Sequence, residues 1–172
     1  MKIKDIKTDR LVIRAFTKDD AIWAYKIWND PEMGKYLPDE AMEEIDSQYL
    51  KELEKLGEDE ECCYLIPVFK DTLEKVGTCS FIVSDDSKTY DIAYYCVHKD
   101  LWGKGYATEI ANRLIEYAKS QGAERVTIFV NQENIASKRV AEKCSAKIVS
   151  ENTFIKKGTN EKRKNFEYEV LL

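Results

Sequence analysis

The stretch His98-Lys99-Asp100-Leu101-Trp102-Gly103-Lys104-Gly105-Tyr106-Ala107-Thr108 separates a predicted strand that ends at Val97 from a predicted helix that opens near Gly105. Two glycines at a helix N-terminus let backbone N–H groups crowd around an anion, and the aligned peptide dipoles place about half a positive charge there. The turn therefore predicts a site for a phosphate-bearing ligand. Lys104 either adds a cation at this site or is an ordinary surface lysine.

Three explanations of this glycine turn compete. A P-loop needs a glycine five residues before a Gly-Lys pair that Ser or Thr follows, and the chain has no such arrangement here. The dinucleotide-binding fingerprint needs a third glycine where this chain has Thr108, and it should open a βαβ unit. A glycine turn that only starts a helix stays open on these eleven residues alone.

The helix after the turn has the clearest periodicity in the chain. Its apolar stripe consists of Ala107, Ile110, Ala111, Leu114, Ile115 and Ala118, and Gly122 ends it. Before the turn, residues 62–69, 76–83 and 90–97 are rich in β-branched and aromatic residues and are separated by turn-forming residues. These three runs predict an antiparallel meander.

The remaining segments complete a mixed α/β fold. A strand is predicted at 10–16, followed by a helix that ends at Asn29-Asp30-Pro31 and a second helix over 39–56. After the glycine turn and its helix, a strand is predicted at 125–130, then a helix over 134–144 that Asn134 caps. Strands at 148–154 and 166–172 close the chain. This order predicts one domain over 1–172, with a mixed sheet and helices on its faces.

Composition narrows the class of protein. The 172 residues are 44% hydrophobic and 34% charged, which is typical of a globular domain. No apolar run resembles a membrane span or a secretory signal, so we expect a cytoplasmic protein without a membrane partner. Five cysteines and one histidine, without paired spacing, predict neither disulfides nor a metal site. The net charge of -5 argues against a nucleic-acid partner.

Three motifs taken together resemble the GNAT superfamily of N-acetyltransferases, and within it the group that acetylates ribosomal-protein N-termini. The motifs are the runs 103–109, 131–137 and 8–14, read as Gly-Lys-Gly-Tyr-Ala-Thr-Glu, Asn-Gln-Glu-Asn-Ile-Ala-Ser and Thr-Asp-Arg-Leu-Val-Ile-Arg. The resemblance covers nearly the whole chain. It implies a sheet splayed open between the strands ending at Val97 and Val130, with acetyl-CoA in the gap.

The resemblance also implies which residues bind this cosubstrate. The pantetheine arm would pair with strand backbone near Cys96 and Val97, and Asn134 would contact the same arm besides capping its helix. The pyrophosphate would lie against the turn formed by Trp102, Gly103, Lys104, Gly105, Tyr106, Ala107 and Thr108. Asp100 departs from the family pattern, because relatives usually have Gln or Arg at that position.

The resemblance implies fewer catalytic residues than binding residues. The tyrosine that many relatives use as general acid aligns with Ala141, so Ser137 is the expected donor to the departing sulfur. Asp91, Glu74 and His98 remain open as the base, and Cys96 as a covalent nucleophile is disfavoured because no second histidine exists to activate it.

The acceptor is expected to be a primary amine: a protein N-terminus, an amino acid, a polyamine or another small amine. An α-amino group is partly neutral at pH 7, whereas neutralising a lysine-like amine costs about 4.6 kcal/mol. The segment 39–61 holds eleven acids and two lysines, which would suit a cationic acceptor or form a solvated helix face. A homodimer stays open, as does the alternative of a catalytically silent CoA-binding sensor or interaction module.

Overall fold

The computed structural model describes residues 3–42, 44–93 and 97–172. Its strands are β1 (Ile6–Lys7), β2 (Leu11–Ala15), β3 (Cys62–Phe69), β4 (Cys79–Val83), β5 (Thr89–Ala93), β6 (Arg125–Asn131), β7 (Lys147–Ile155) and β8 (Lys162–Leu171). Its α-helices are α1 (Ala21–Trp28), α2 (Ser47–Leu53), α3 (Tyr106–Ser120) and α4 (Ile135–Lys143). Short 3-10 turns cover Lys18–Asp20, Leu56–Glu58 and Lys99–Leu101.

The strands form one eight-stranded sheet in the order β1-β2-β3-β4-β5-β6-β8-β7. Every neighbouring pair is antiparallel except β5 and β6, which run parallel. The parallel pair requires a crossover, and α3 supplies it. The predicted mixed α/β fold and the predicted meander from β3 to β5 are thus confirmed.

The larger core lies between α3 and one face of the sheet. Ile110, Leu114 and Ala118 of α3 are buried against strand residues such as Phe81 and Val126. The predicted stripe of α3 is therefore the face that covers the sheet. A second core on the opposite face joins α1 and α2 to Ile66 and Val68 of β3.

The predicted helix over 39–56 is wrong in length, since the observed helix α2 spans only Ser47–Leu53. Its start is set by Asp46, whose side chain accepts a hydrogen bond from the N–H of Gln48. Further upstream, the carbonyl of Pro38 and the N–H of Glu40 bond to the backbone of Lys157. Contacts with a distant hairpin thus replace the helical bonds that the local pattern favoured.

Other differences from the predicted elements are smaller. Strand β1, which pairs Ile6 with Ile13, was not predicted. The strand predicted at 76–83 begins at Cys79, and the strand predicted at 90–97 is observed as Thr89–Ala93. The end of that prediction includes Tyr94, Tyr95 and Cys96, which lie outside the described residues. Within the described ranges, no helix has the length and apolar character needed to cross a membrane.

One buried carboxylate connects the N-terminal segment to the sheet. Asp20 is fully buried, and its oxygens accept from both terminal nitrogens of Arg14 at 2.7 and 2.8 Å. Lys75 Nζ lies 2.8 Å from the same carboxylate, and the N–H and hydroxyl of Thr17 donate to it at 2.9 Å. Burial alone would raise the pKa of Asp20, but these hydrogen bonds outweigh burial and hold it well below its ordinary value.

Replacing Asp20 with Asn should lower the free energy of unfolding by about 3 kcal/mol, because Arg14 and Lys75 would keep their charges without an ionised partner. Urea unfolding at pH 7 measures this change. Glu124→Gln is the matched control: it breaks the exposed Lys88–Glu124 pair and should change stability little. Equal effects of the two substitutions would contradict the central role given to Asp20.

Candidate functional site

The pairing of β5 with β6 covers only part of β6. The recorded partners are Thr89 with Arg125, Tyr90 with Val126 and Asp91 with Thr127. Strand β6 continues to Asn131, and β8 pairs with it along its whole length. Among the described residues, Ile92 and Ala93 continue β5 but do not extend this pairing to Ile128 and Phe129, which agrees with a sheet that opens between β5 and β6.

The glycine turn lies beyond β5 and leads into α3. Gly103 and Gly105 have φ values of 75° and 84°, and Gly105 is the residue before the first turn of the helix. Such left-handed conformations favour glycine because a Cβ atom would clash with the backbone. The sequence therefore has glycine where this path requires it.

The turn has a row of backbone N–H groups without an acceptor among the described residues. The first bond of α3 runs from the N–H of Glu109 to the carbonyl of Gly105. Among the described residues, no acceptor is recorded for the N–H groups of residues 103–108. Helix α3 adds the positive end of its dipole at the same place, so the turn is suited to bind an anion.

The side chains of Trp102 and Arg10 hydrogen-bond this turn to neighbouring segments. Trp102 donates from Nε1 to the carbonyl of Val97 at 2.6 Å, which joins the end of the strand region to the turn. Arg10 donates from Nη1 to the carbonyl of Lys104 at 3.0 Å. Sequence reasoning did not identify Arg10 as part of the site, because its contacts lie more than ninety residues away.

Helix α4 begins at the same open edge, after β6. The N–H of Asn134 bonds to the carbonyl of Asn131, and Asn134 Oδ1 accepts from the N–H of Ser137 at 3.0 Å. The predicted capping role of Asn134 is confirmed. Ser137 is in the first turn of α4, one turn before Ala141, which is fully buried. Helical spacing puts Ser137 and Ala141 on one side of α4.

The segment 30–42 connects the two sides of the opening. At one end, Lys99 Nζ lies 3.3 Å from Asp30 and 3.6 Å from Glu32. In the middle, the hydroxyl of Tyr36 donates to the carbonyl of Glu133, just before α4, at 3.4 Å. The far end bonds to Lys157, in the connection between β7 and β8. This acidic segment thus passes from the turn region to the far hairpin beside the start of α4.

The predicted site residues are brought together in two groups. Val97, Trp102, Gly103, Lys104, Gly105, Tyr106, Ala107 and Thr108 form the end of the β5 region and the start of α3. Asn134 and Ser137 begin α4. Cys96 lies outside the described residues, so its predicted role is not described further. Asp100 is 81% exposed, with one oxygen 3.5 Å from His98 Nδ1.

The three candidate bases occupy different environments. Asp91 is on β5, and burial raises its pKa to about 6; Glu167 acts in the same direction, whereas a hydrogen bond from Thr127 opposes the shift. Glu74 and His98 instead line an open depression of about 540 Å³, together with Trp23 and Leu101. No described residue of β6 or α4 lines this depression, so it is distinct from the opening between β5 and β6.

No group of three or more potential metal ligands was found in the parts of the chain that the structure describes. The described features of the site are its backbone N–H groups, its capped helix and the raised pKa of Asp91.

Comparison with known proteins agrees with this geometry. The family model of the acetyltransferase (GNAT) domain matches residues 10–147. The uncharacterized N-acetyltransferase YnaD of Bacillus subtilis (strain 168) is 31% identical over 139 residues, which cover 80% of this chain and 79% of that protein.

Two solved structures share the fold along almost the whole chain. The acetyltransferase (GNAT family) of Bacillus anthracis has a TM-score of 0.84 and 24% identity, and the match covers 98% of both chains. The microcin C7 self-immunity acetyltransferase MccE, solved with acetyl-CoA and AMP, has a TM-score of 0.79 and 22% identity. That match covers 95% of this chain and 93% of MccE.

Replacing Asp91 with Asn should raise the free energy of unfolding, relative to that of the native chain, more at pH 8 than at pH 4. Because the folded-state pKa of Asp91 is raised, its protonated form contributes stability below about pH 4, and this is lost as the pH rises through about 6. Asn cannot ionise. Between pH 4 and pH 6, the free energy of unfolding of the variant should therefore increase by about 1–3 kcal/mol relative to that of the native chain. Urea unfolding at pH 4 and pH 8 measures the difference. A constant difference at both pH values would mean that Asp91 titrates normally.

Proposed function

The chain belongs to the GNAT acetyltransferase family, and from this premise we propose that it transfers the acetyl group of acetyl-CoA to a primary amine by direct attack in a ternary complex. The observation that carries the proposal is the row of N–H groups over residues 103–108, at the N-terminus of α3, for which the described part of the chain supplies no acceptor. A pyrophosphate is an anion of the size and charge that such a row binds.

The proposed cosubstrate follows the opening between β5 and β6. Its pyrophosphate would accept from the N–H groups of the turn formed by Trp102, Gly103, Lys104, Gly105, Tyr106, Ala107 and Thr108. Its pantetheine arm would run along Cys96 and Val97 towards Asn134. The carbonyl of Val97 accepts from Trp102, so we propose that the N–H of Val97 pairs with the arm. Asn134 uses Oδ1 for its cap and keeps Nδ2 for the ligand.

The proposed reaction needs two proton transfers. The nitrogen of a neutral amine attacks the thioester carbonyl, a C–N bond forms, and the C–S bond then breaks. Asp91 is the favoured acceptor of the proton that leaves the amine, directly or through water, because a base with a pKa of about 6 is ionised yet still basic at pH 7. Ser137 is the proposed donor to the departing sulfur, since no tyrosine is present at the buried position of Ala141.

For the acceptor, we favour an α-amino group, such as a protein N-terminus or an amino acid. Its lower pKa leaves more of it neutral at pH 7 than a lysine-like amine. This preference agrees with the resemblance to enzymes that acetylate ribosomal-protein N-termini. Polyamines and other small amines remain acceptors to be screened. We also propose that the chain forms a single cytoplasmic domain, which acts alone or as a homodimer.

Acetyl-CoA should raise the melting temperature of the native chain. At about 100 times its dissociation constant, a ligand adds about 2.7 kcal/mol of stability. Gly105→Leu should abolish this shift, because a side chain at a φ of 84° forces the turn out of its present path.

The matched control for this experiment is Gly122→Leu at the other end of α3. Gly122 has a similar φ of 87° and lies away from the turn, so this variant should be strained to a similar extent but keep the response to acetyl-CoA. Absence of any shift in the native chain at millimolar acetyl-CoA would refute the proposed function. A shift without turnover on any amine would favour the catalytically silent alternative.

Ser137→Ala should lower kcat by about 100-fold while leaving the dissociation constant of acetyl-CoA unchanged, because it removes the proposed proton donor to the sulfur and no group proposed to bind the pyrophosphate. Steady-state kinetics and calorimetry together measure the two quantities. Ser120→Ala is the control, since Ser120 ends α3 and donates to the carbonyl of Tyr117. Unchanged kcat in Ser137→Ala would remove Ser137 from the mechanism and point to solvent as the proton donor.

A further inference from the structure

Arg10 contacts the glycine turn and the first residues of α3 at once. Its Nη1 donates to the carbonyl of Lys104 at 3.0 Å, and its Nε donates to Glu109 Oε2 at 2.6 Å. Its guanidinium carbon lies 4.0 Å from the ring centroid of Tyr106. The planar guanidinium is rigid, so these contacts fix the turn and the helix start relative to one another.

Glu109 is held in turn by residues just before β2. Besides Arg10 Nε, it accepts from the backbone N–H of Arg10 at 2.9 Å and from the hydroxyl of Thr8 at 2.5 Å. Burial alone would raise the pKa of Glu109, but these hydrogen bonds outweigh burial and lower it. The carboxylate therefore stays ionised at neutral pH, and it keeps the guanidinium of Arg10 beside the turn.

The bond to Lys104 decides where the next N–H group points. No peptide bond in the described chain is cis, so the carbonyl of Lys104 and the N–H of Gly105 point in opposite directions across one planar peptide. Because Arg10 binds the carbonyl from one side, the N–H of Gly105 faces the other side. That N–H belongs to the row over residues 103–108 that has no acceptor among residues 3–42, 44–93 and 97–172.

We propose that Arg10, held by Glu109, is a positioning residue that aligns the backbone N–H groups of the glycine turn for the pyrophosphate of acetyl-CoA. This inference rests on the proposed function. Arg10 acts through the turn and need not touch the ligand.

The turn needs contacts of this kind because its own composition leaves it free to change conformation. Gly103 and Gly105 have no side chain to restrict their backbone, and both are exposed. Asp100, at the position where relatives provide a donor, is turned to solvent beside His98. Ordering the turn before the ligand binds lowers the entropy lost on binding. The contacts of Arg10 should therefore improve the affinity of the turn for the anion.

Arg10→Met tests the proposal, because it removes the side-chain contacts while the backbone bond from residue 10 to Glu109 can persist. We expect the dissociation constant and KM of acetyl-CoA to rise about tenfold, with kcat within about twofold of the native value. Acetyl-pantetheine, which lacks the pyrophosphate, should be used by the variant as well as by the native chain. Calorimetry and steady-state kinetics with both acetyl donors measure this selectivity.

Arg113→Met is the matched control. Like Arg10, Arg113 joins α3 to the N-terminal segment, donating from α3 to the carbonyl of Lys7 at 2.8 Å, but it lies about one turn beyond Glu109 and further from the glycine turn. It should leave both acetyl donors unaffected. Arg10→Lys should recover only part of the affinity, since an ammonium group lacks the planar fork that bonds Lys104 and Glu109 together. Glu109→Gln should weaken acetyl-CoA binding, and adding it to Arg10→Met should cost little more.

The outcomes separate this inference from the function on which it rests. If the native chain does not bind acetyl-CoA, the proposed function fails. If the native chain binds it and Arg10→Met binds it equally well, only the positioning role is overturned. Equal losses with acetyl-CoA and acetyl-pantetheine would also overturn it, because they would assign Arg10 a general structural role.

Discussion

The parallel pairing of β5 with β6 is the constraint on which the rest of the structure depends. Parallel neighbours cannot be joined by a hairpin, so the chain must cross the sheet as α3 before it returns as β6. The carboxyl ends of both strands then lie at one edge of the sheet. Helix α3 begins beyond the end of β5 and α4 beyond the end of β6, so two helix N-termini are directed to this edge. A site for an anion follows from the topology before any side chain is considered.

The N-terminal segment supports this edge from both ends of β2. Arg14 and Asp20 anchor the segment to Lys75, and the carbonyl of the next residue, Val76, accepts from the N–H of His98, at the start of the turn region. Arg10, just before β2, contacts the far end of the same turn. The two anchors differ in burial: Asp20 is fully enclosed, whereas Arg10 remains 44% exposed. The first is suited to stability and the second to a role at the site.

Local patterns predicted the parts of the fold whose determinants are close in sequence. The stripe of α3, the cap at Asn134 and strand β3 with its observed bounds each depend on residues within a few turns or one strand. The helix predicted over 39–56 failed because residues 38–40 bond to Lys157, more than a hundred residues away. The roles of Arg10 and of the buried Asp20 were missed for the same physical reason: a charged residue in sequence does not reveal its distant partner.

The electrostatics of the edge bear on which amine the proposed reaction would favour. In the proposed complex, the N-terminus of α4 would lie near the thioester and would disfavour a positive charge there, so it would oppose an ammonium ion and favour the neutral, attacking amine. The segment 30–42 adds little attraction for a cation, because Lys99 pairs with Asp30 and Glu32 and Lys157 pairs with Asp39. Neutralising the amine before it attacks costs least when its pKa is already near 8. On this argument, an α-amino group fits the site better than a lysine-like amine of the same size.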